Sequence, residues 1–450
     1  MKMNDSVAVD GMNVPAVGMN APAVNTNAPA VSDAVPAANW YALAILTLIY
    51  SCHFLDRMMI AIIIEPARRE FSLTDSQIGM LTGLAYGATF ALAGIPLGLL
   101  IDRVNRVKLL AILVTIWSGM TTLSGFAQNY IQLLLARMGV GASEAGGSPS
   151  SLSLISDLFP ASKRSTAVGC FFLSNAVGAV LSIVIGGYIA AQYGWRSAML
   201  VAGGPGLILA IVFILTVREP KRGAMEGNAE PVKKAASLGE VLRHVGGNTA
   251  MLHLLAGVSL VAAAVATIGS WLPSFVMRFH GFNIKEAGFA VSLASGFAGA
   301  LGSVIGGIIS DKLSRFRARR RMDISLVVAL LAMCVAAAGM LVGSANMSVA
   351  LLSLTQMIAF VAFPATFGAM LSITSSNMRG TTAAAMQIAT NLIGYGMGPF
   401  MVGVFSDLYG GDQSLRYAMI TVMCICLPWG ALHFWLSARA NDAQLLKKLR

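Results

Sequence analysis

Charge is what this chain has least of. Asp, Glu, Lys and Arg make up 11% of its 450 residues, less than half the share of about 25% found in soluble domains. A chain of this length folded in water would hold two or three domains, and so few ionised groups could not cover their surfaces. Cysteine is also sparse. Cys52, Cys170, Cys334, Cys424 and Cys426 fall inside apolar stretches without metal-ligand spacing, which reads them as small buried side chains. No Walker sequence is present, so ATP-driven work has no basis here. No nucleophile, base and orienting group can be assembled, which argues against an enzyme.

What is there instead is hydrophobic: 56% of the residues. About twelve windows of 18 or more mostly apolar residues are each long enough to cross a hydrocarbon layer of about 30 Å as a helix. Helices are required there, because lipid cannot solvate unpaired backbone groups. The predicted spans are roughly 40–64, 76–101, 107–127, 130–157, 165–191 and 198–217, then 247–277, 285–310, 324–343, 347–373, 381–406 and 415–437. The expected organisation is a disordered tail over 1–39, a six-helix bundle over 40–217, a polar linker over 218–246, a second bundle over 247–438 and a tail over 439–450. The first tail repeats "NVPAV", "NAPAV", "NAPAV" from Asn13, Asn20 and Asn27, and proline in each repeat excludes a coiled coil. It lacks the pattern of a cleavable signal. With both tails on one side, that side receives 23 of the 31 Lys and Arg and the other six, Arg57 and Arg137 lying within spans. Both termini are therefore expected in the cytoplasm. The net charge of +11 is a matter of topology and anionic lipid, with no nucleic-acid partner implied.

The two halves echo each other. "GLLIDRVNRVK" closes span 2 and "GIISDKLSRFR" closes span 8, aligning Gly98, Asp102, Arg103 and Arg106 with Gly307, Asp311, Lys312 and Arg315. "SNAVG" and "TNLIG" align Asn175 and Gly178 with Asn391 and Gly394. Such a repeat marks many secondary transporters. The chain here resembles the major facilitator superfamily, whose signature is a Gly, Asp, Arg, Gly, Arg loop between helices 2 and 3. Asn105 stands where the second glycine is usual, tolerable because Asn also visits left-handed backbone. The resemblance implies an all-α membrane protein of twelve transmembrane helices in two pseudo-symmetric six-helix bundles. Asp102, Arg106, Asp311 and Arg315 are read as a gate.

Chemistry concentrates in the first half, where Asp56, Arg57, Arg137 and Glu144 lie at membrane depth; the second half offers only polar groups such as Gln356, Gln387 and Asn391. Buried charge costs several kcal/mol in lipid and usually faces a partner or a watery cavity. Arg137 and Glu144, seven residues apart in "ARMGVGASEAGG", share a helix face about 10 Å apart. Each is therefore expected to meet span 1, at Asp56 or Arg57. The glycines between and after them favour close helix packing; they imitate a dinucleotide motif, but no strand precedes them. His53 is read first as a core histidine, and Arg278 and His280 as interface anchors of span 7.

"LDR" on helix 1, "RMGVGASEA" on helix 4, "DLFP", "GWRSAMLVAGGPGL", "WLPSFVMRFHG" and "NLIGYGMGPFMVGVFSD" together resemble the Spinster branch of the superfamily. That branch moves sphingosine-1-phosphate or lysophospholipids by alternating access. The resemblance implies a transporter of an amphiphilic anion and maps the branch's helix 1 Asp and helix 4 Arg and Glu onto Asp56, Arg137 and Glu144. Partial desolvation beside the arginines reads Asp56 and Glu144 as proton-coupling, and the planar guanidinium forks read Arg137 and Arg57 as substrate-binding. The anion:cation symporters share the Asp-Arg pair, so a proton symporter of a small organic anion such as a sugar acid stands as the alternative. A receptor or scaffold gives no reason for four buried charges. No cofactor or metal is expected; an ion gradient, of protons, is the expected driving force. The expected partners are the anionic substrate and membrane lipid, around a monomer in a bacterial inner or plasma membrane.

Overall fold

The computed structural model describes residues 35–223, 225, 243, 245–314, 320–374 and 378–449. Among them there are helices and no strands. In chain order these are α1 Ala37–Phe71, α2 Asp75–Ile101, α3 Arg106–Ser124, α4 Tyr130–Glu144, α5 Gly147–Leu158, α6 Ser162–Thr216, α7 Thr249–His280, α8 Ile284–Lys312, α9 Arg321–Leu341, α10 Ala345–Ile373, α11 Thr382–Tyr409 and α12 Ser414–Leu449. Ten of the described helices are long and apolar enough to span a membrane. Two further facts reconcile that number with the predicted twelve. Helix α6 runs for 55 residues and is broken at Gly194, whose φ of 83° and ψ of 161° no helical residue adopts, so its length suits two crossings. Helices α4 and α5 are each too short alone and follow one another across the kink at Ala145 and Gly146.

The repeat seen in sequence has a backbone counterpart. Wide π-type turns occur at Met80–Leu84, Ile183–Ile189, Ser292–Ala298 and Thr390–Met397, the second and fifth crossings of each half. These are also where the halves meet. A Cβ on Gly83 would fall 2.5 Å from the Gly396 carbonyl, and one on Gly296 would fall 2.5 Å from the Ala179 Cβ. Lipid offers no hydrophobic drive for helix pairing, so such small residues supply the close packing that joins the halves.

The buried apolar side chains show the same division. One cluster joins Ile62, Ile63 and Ile64 of α1 to Trp271 and Phe275 of α7, across the halves. A second holds Leu46, Trp117, Phe159 and Phe213, all from the first half. The halves thus share a core toward the ends of α1 and α7 and keep separate cores toward the face carrying the chain ends.

Several expectations change. Asn105 is not left-handed: with φ −66° and ψ 115° it caps α3, its side chain accepting from the Lys108 amide at 2.8 Å. The substitution works because Asn is a good N-cap. The final helix continues through the predicted tail to Leu449. The expected disorder of residues 1–34, most of the central linker and Arg315 lie outside the described residues.

Candidate functional site

Helix α1 carries His53, Asp56 and Arg57 at i, i+3 and i+4, hence on one face. Asp56 is 4% exposed and Arg137 1%. Asp56 Oδ2 accepts from Arg137 Nη1 at 3.3 Å, and its Oδ1 accepts from the Thr121 hydroxyl at 2.7 Å. Three helices of the first half, α1, α3 and α4, meet in this pair. One turn pair further along α4, Glu144 is 2% exposed. Its Oε2 accepts from the Tyr86 hydroxyl at 2.7 Å and lies 3.0 Å from His53 Nδ1. A carboxylate only accepts, so Nδ1 carries the proton. His53 is thus a buried histidine hydrogen-bonded to a carboxylate; it reaches Glu144 because it precedes Asp56 by almost one turn.

Glycine sets this geometry. A Cβ on Gly141 would fall 2.6 Å from the Tyr86 carbonyl and 2.5 Å from the Thr89 hydroxyl. With hydrogen there instead, α4 presses onto α2, and Glu144 reaches Tyr86.

Arg57 differs from the other three charges. It forms no ion pair among the described residues. Its guanidinium lies 4.0 Å from the centre of the Tyr395 ring on α11 and 5.5 Å from Tyr86. Arg137 also lies 5.5 Å from Tyr86, so that ring borders two cations, which its negative face attracts. Arg57, Tyr86, His53, Tyr395, Ser295 and Gln356 line a cavity of about 210 Å³ between the halves. Arg57 and Tyr395 also border a second cavity, lined by Phe363, Phe367, Met386 and Asn391 of the second half.

A separate charged cluster joins the halves at the end of α1. Arg278 donates to both oxygens of Asp75, at 2.9 and 3.0 Å, and through Nε to Glu65 at 3.0 Å. Ser406 donates to Asp75 at 2.6 Å. Asp407 accepts from the amides of Asp75 and Ser76 at 3.0 and 2.8 Å, capping the N-terminus of α2 from the other half, where a negative charge is favoured. Arg278 was expected to anchor at a membrane interface. It instead binds carboxylates, because two acids of the first half face it and a fork-shaped cation satisfies both. Glu65, Asp75 and Asp407 were missed; their signal was the placing of acids at the far ends of spans 1, 2 and 11, opposite a basic end of span 7.

On the face carrying the chain ends, the described charged contacts stay within one half. Arg106 bonds to Asp157, to Glu219 at 2.7 Å and to Ser153. Asp311 lies 3.9 Å from Arg321 and is largely exposed, as is Asp102.

A family model described as Major Facilitator Superfamily matches residues 46–399. The chain belongs to the Major Facilitator Superfamily. An "MFS-type efflux pump" of Mycolicibacterium smegmatis is 27% identical over 414 residues, covering 91% of this chain and 95% of that protein. The "Hexuronate transporter" of Escherichia coli is 24% identical over 420 residues, covering 88% and 93%. A bacterial homologue of the human lysosomal transporter Spinster, solved inward-facing and unoccupied, superimposes with a TM-score of 0.80 at 28% identity, covering 90% of this chain and 97% of that one. This superfamily member is therefore a multi-pass membrane transporter and not an enzyme.

Proposed function

We propose that this chain carries an amphiphilic, lysolipid-like anion across the membrane by alternating access, coupled to protons. One observation carries the reading. Of the four charges read at membrane depth in the first half, Arg57 alone has no carboxylate partner among the described residues, and it is half-buried, facing a cavity shared by both halves. A guanidinium left open in a membrane cavity suits phosphate or carboxylate, whose two oxygens match its fork. Amphiphilicity is supported by the second cavity beside Arg57, where Phe363, Phe367 and Met386 offer an apolar wall, and by the likeness to a Spinster homologue.

Proton coupling is assigned to Asp56 and Glu144. Protonating Asp56 would release Arg137, and protonating Glu144 would loosen its bonds to His53 and Tyr86. Either event changes the charge around Arg57 through Tyr86, which borders both arginines. With the termini in a bacterial cytoplasm, as the Lys and Arg distribution suggests, the Arg278 cluster seals the outer side and the cavity belongs to an inward-facing state. Protonation and substrate then bias the balance between this state and its outward counterpart.

A small hydroxylated acid is the second reading, favoured by the likeness to a hexuronate transporter. Uptake into proteoliposomes tests both. A fluorescent lysophosphatidate and radiolabelled D-galacturonate are offered with and without an inward proton gradient. Gradient-driven uptake of the lipid alone is expected. Uptake of galacturonate alone selects the second reading, and uptake of neither overturns both.

A further inference from the structure

Two amides of the second half present an unanswered oxygen. Gln356, wholly buried on α10, donates through Nε2 to the Val265 carbonyl at 3.2 Å and to the Ser295 hydroxyl oxygen at 3.0 Å. A backbone carbonyl can only accept, so the atom facing it is the NH2 group and the amide's orientation is fixed. Its Oε1 is buried with no partner, and both Gln356 and Ser295 line the central cavity. Asn391, 2% exposed on α11, repeats the pattern. Its Nδ2 donates to the Gln387 carbonyl at 2.9 Å, and its Oδ1 is buried and unpaired beside the second cavity. An acceptor buried without a donor has lost its bonds to water and gained none in return.

An anion cannot answer these oxygens; a hydrogen-bond donor can. At Gln356 the request is more specific. Ser295 accepts from the amide, which leaves its own hydroxyl proton to give. These two residues of the cavity lining therefore hold one unanswered acceptor, Gln356 Oε1, just beneath the wall, beside one donor, the Ser295 hydroxyl. A ligand hydroxyl matches both, whereas an ammonium could use only the acceptor.

We propose that Gln356, together with Ser295, reads a hydroxyl group on the transported anion. The substrate class is then a hydroxylated anion whose charge is held by Arg57 in the first half and whose hydroxyl is held in the second. This rests on the reading of Arg57 as the anion site. It explains why the second half needs polar groups without charge: a neutral amide selects a hydroxyl while leaving the net charge of the cavity to the first half. A site built for a hydroxyl rejects an analogue lacking it far more strongly than an apolar pocket rejects an extra methylene, because its polar groups are left buried and unpaired.

The test uses the full chain in lipid nanodiscs and two pairs of probes. One pair is 1-oleoyl lysophosphatidate and its 2-deoxy analogue; the other is gluconate and hexanoate. Equilibrium binding is measured to the parent protein and to Arg57→Ala, Gln356→Leu and Ser295→Ala. In one pair, the hydroxylated member is expected to bind at least about tenfold more tightly to the parent. Gln356→Leu should bring it down to its analogue's affinity without weakening the analogue. Ser295→Ala removes only a hydroxyl, keeps the test alive if Gln356→Leu misfolds, and should weaken the hydroxylated member alone. The pair that shows the difference tells a lipid phosphate from a polyhydroxy acid. Equal affinities within both pairs, with binding still lost in Arg57→Ala, overturn the hydroxyl reading and leave the anion reading intact. Absence of Arg57-dependent binding for either pair overturns the two together.

Discussion

The interiors of the two halves are built from different chemistry. The first holds Asp56, Arg57, Arg137 and Glu144; at corresponding depth the second holds Gln356, Asn391 and Ser295. The difference matters because of where the bonds run. Asp56 with Arg137, and Glu144 with His53 and Tyr86, are all pairs within the first half. Rocking of one half against the other would leave them intact, so buried charge need not be separated in lipid, where that is costly. Only Arg57 reaches across, onto Tyr395. Coupling can thus reside in one rigid body while recognition spans both. The two faces of the molecule differ in the same sense. On one, Arg278 and Asp407 tie the halves together; on the other, Arg106 ties the first half to itself.

The largest effect is expected at Arg57. Arg57→Ala should reduce substrate binding by about 100-fold or more, the usual scale for removing one member of a desolvated charge pair, with expression and melting temperature close to the parent. Retained affinity in a binding titration would erase the distinction between Arg57 and the paired charges.

Asp56→Asn comes next. It imitates permanent protonation, so gradient-driven accumulation should fall to the level seen without a gradient, while exchange of substrate down its own gradient persists. Parallel uptake assays separate the two, and unchanged gradient dependence removes Asp56 from coupling. Arg137→Lys should also impair transport, by about tenfold, since an ammonium cannot reproduce the fork that holds Asp56. Normal transport by this variant would make Arg137 a plain counter-ion.

A smaller shift is expected from Arg278→Gln. Arg278 is partly exposed and Arg68 stays 3.5 Å from both buried acids, so the loss of Arg278 should move the balance of states by about 1–2 kcal/mol, less than for an isolated buried pair. Cysteine labelling near Ser76, on the face of the Arg278 cluster, should then rise. No change in labelling would reduce the cluster to a surface feature. The smallest effect belongs to Asp102→Asn. Asp102 is exposed here, so its neutralisation can disfavour only the opposite state, shifting the population toward the present one by about 1 kcal/mol or less. An unchanged state distribution with lost substrate affinity would move Asp102 from gate to binding site.

Much of the fold was legible because lipid leaves a hydrophobic segment few alternatives. The spans of α1, α2, α3 and α7 through α11 lie close to their predicted positions, and the second crossing of each half carries a π-type turn, at Met80–Leu84 and Ser292–Ala298. The partners of the buried charges were less legible. A spacing of seven residues shows that Arg137 and Glu144 share a face, yet it cannot choose between His53, Asp56 and Arg57 on the facing helix, since all three occupy one face of α1. Arg278 was misjudged for a related reason: a cation at a helix end looks the same in sequence whether it meets lipid head groups or acids more than 200 residues away.

By itself the sequence determined that this is a bundle of membrane-crossing helices with a doubled architecture and its membrane-depth charge in the first half, since hydropathy, helix length and periodicity are local properties. Which charge is paired and which is left open was decided only in three dimensions. Gly141 let α4 close on Tyr86, Thr121 and Arg137 took up Asp56, and Glu144 went to His53, leaving Arg57 to Tyr395 of the other half. Ion pairing depends on distances of a few ångström between side chains far apart along the chain, and no spacing within one helix can encode them.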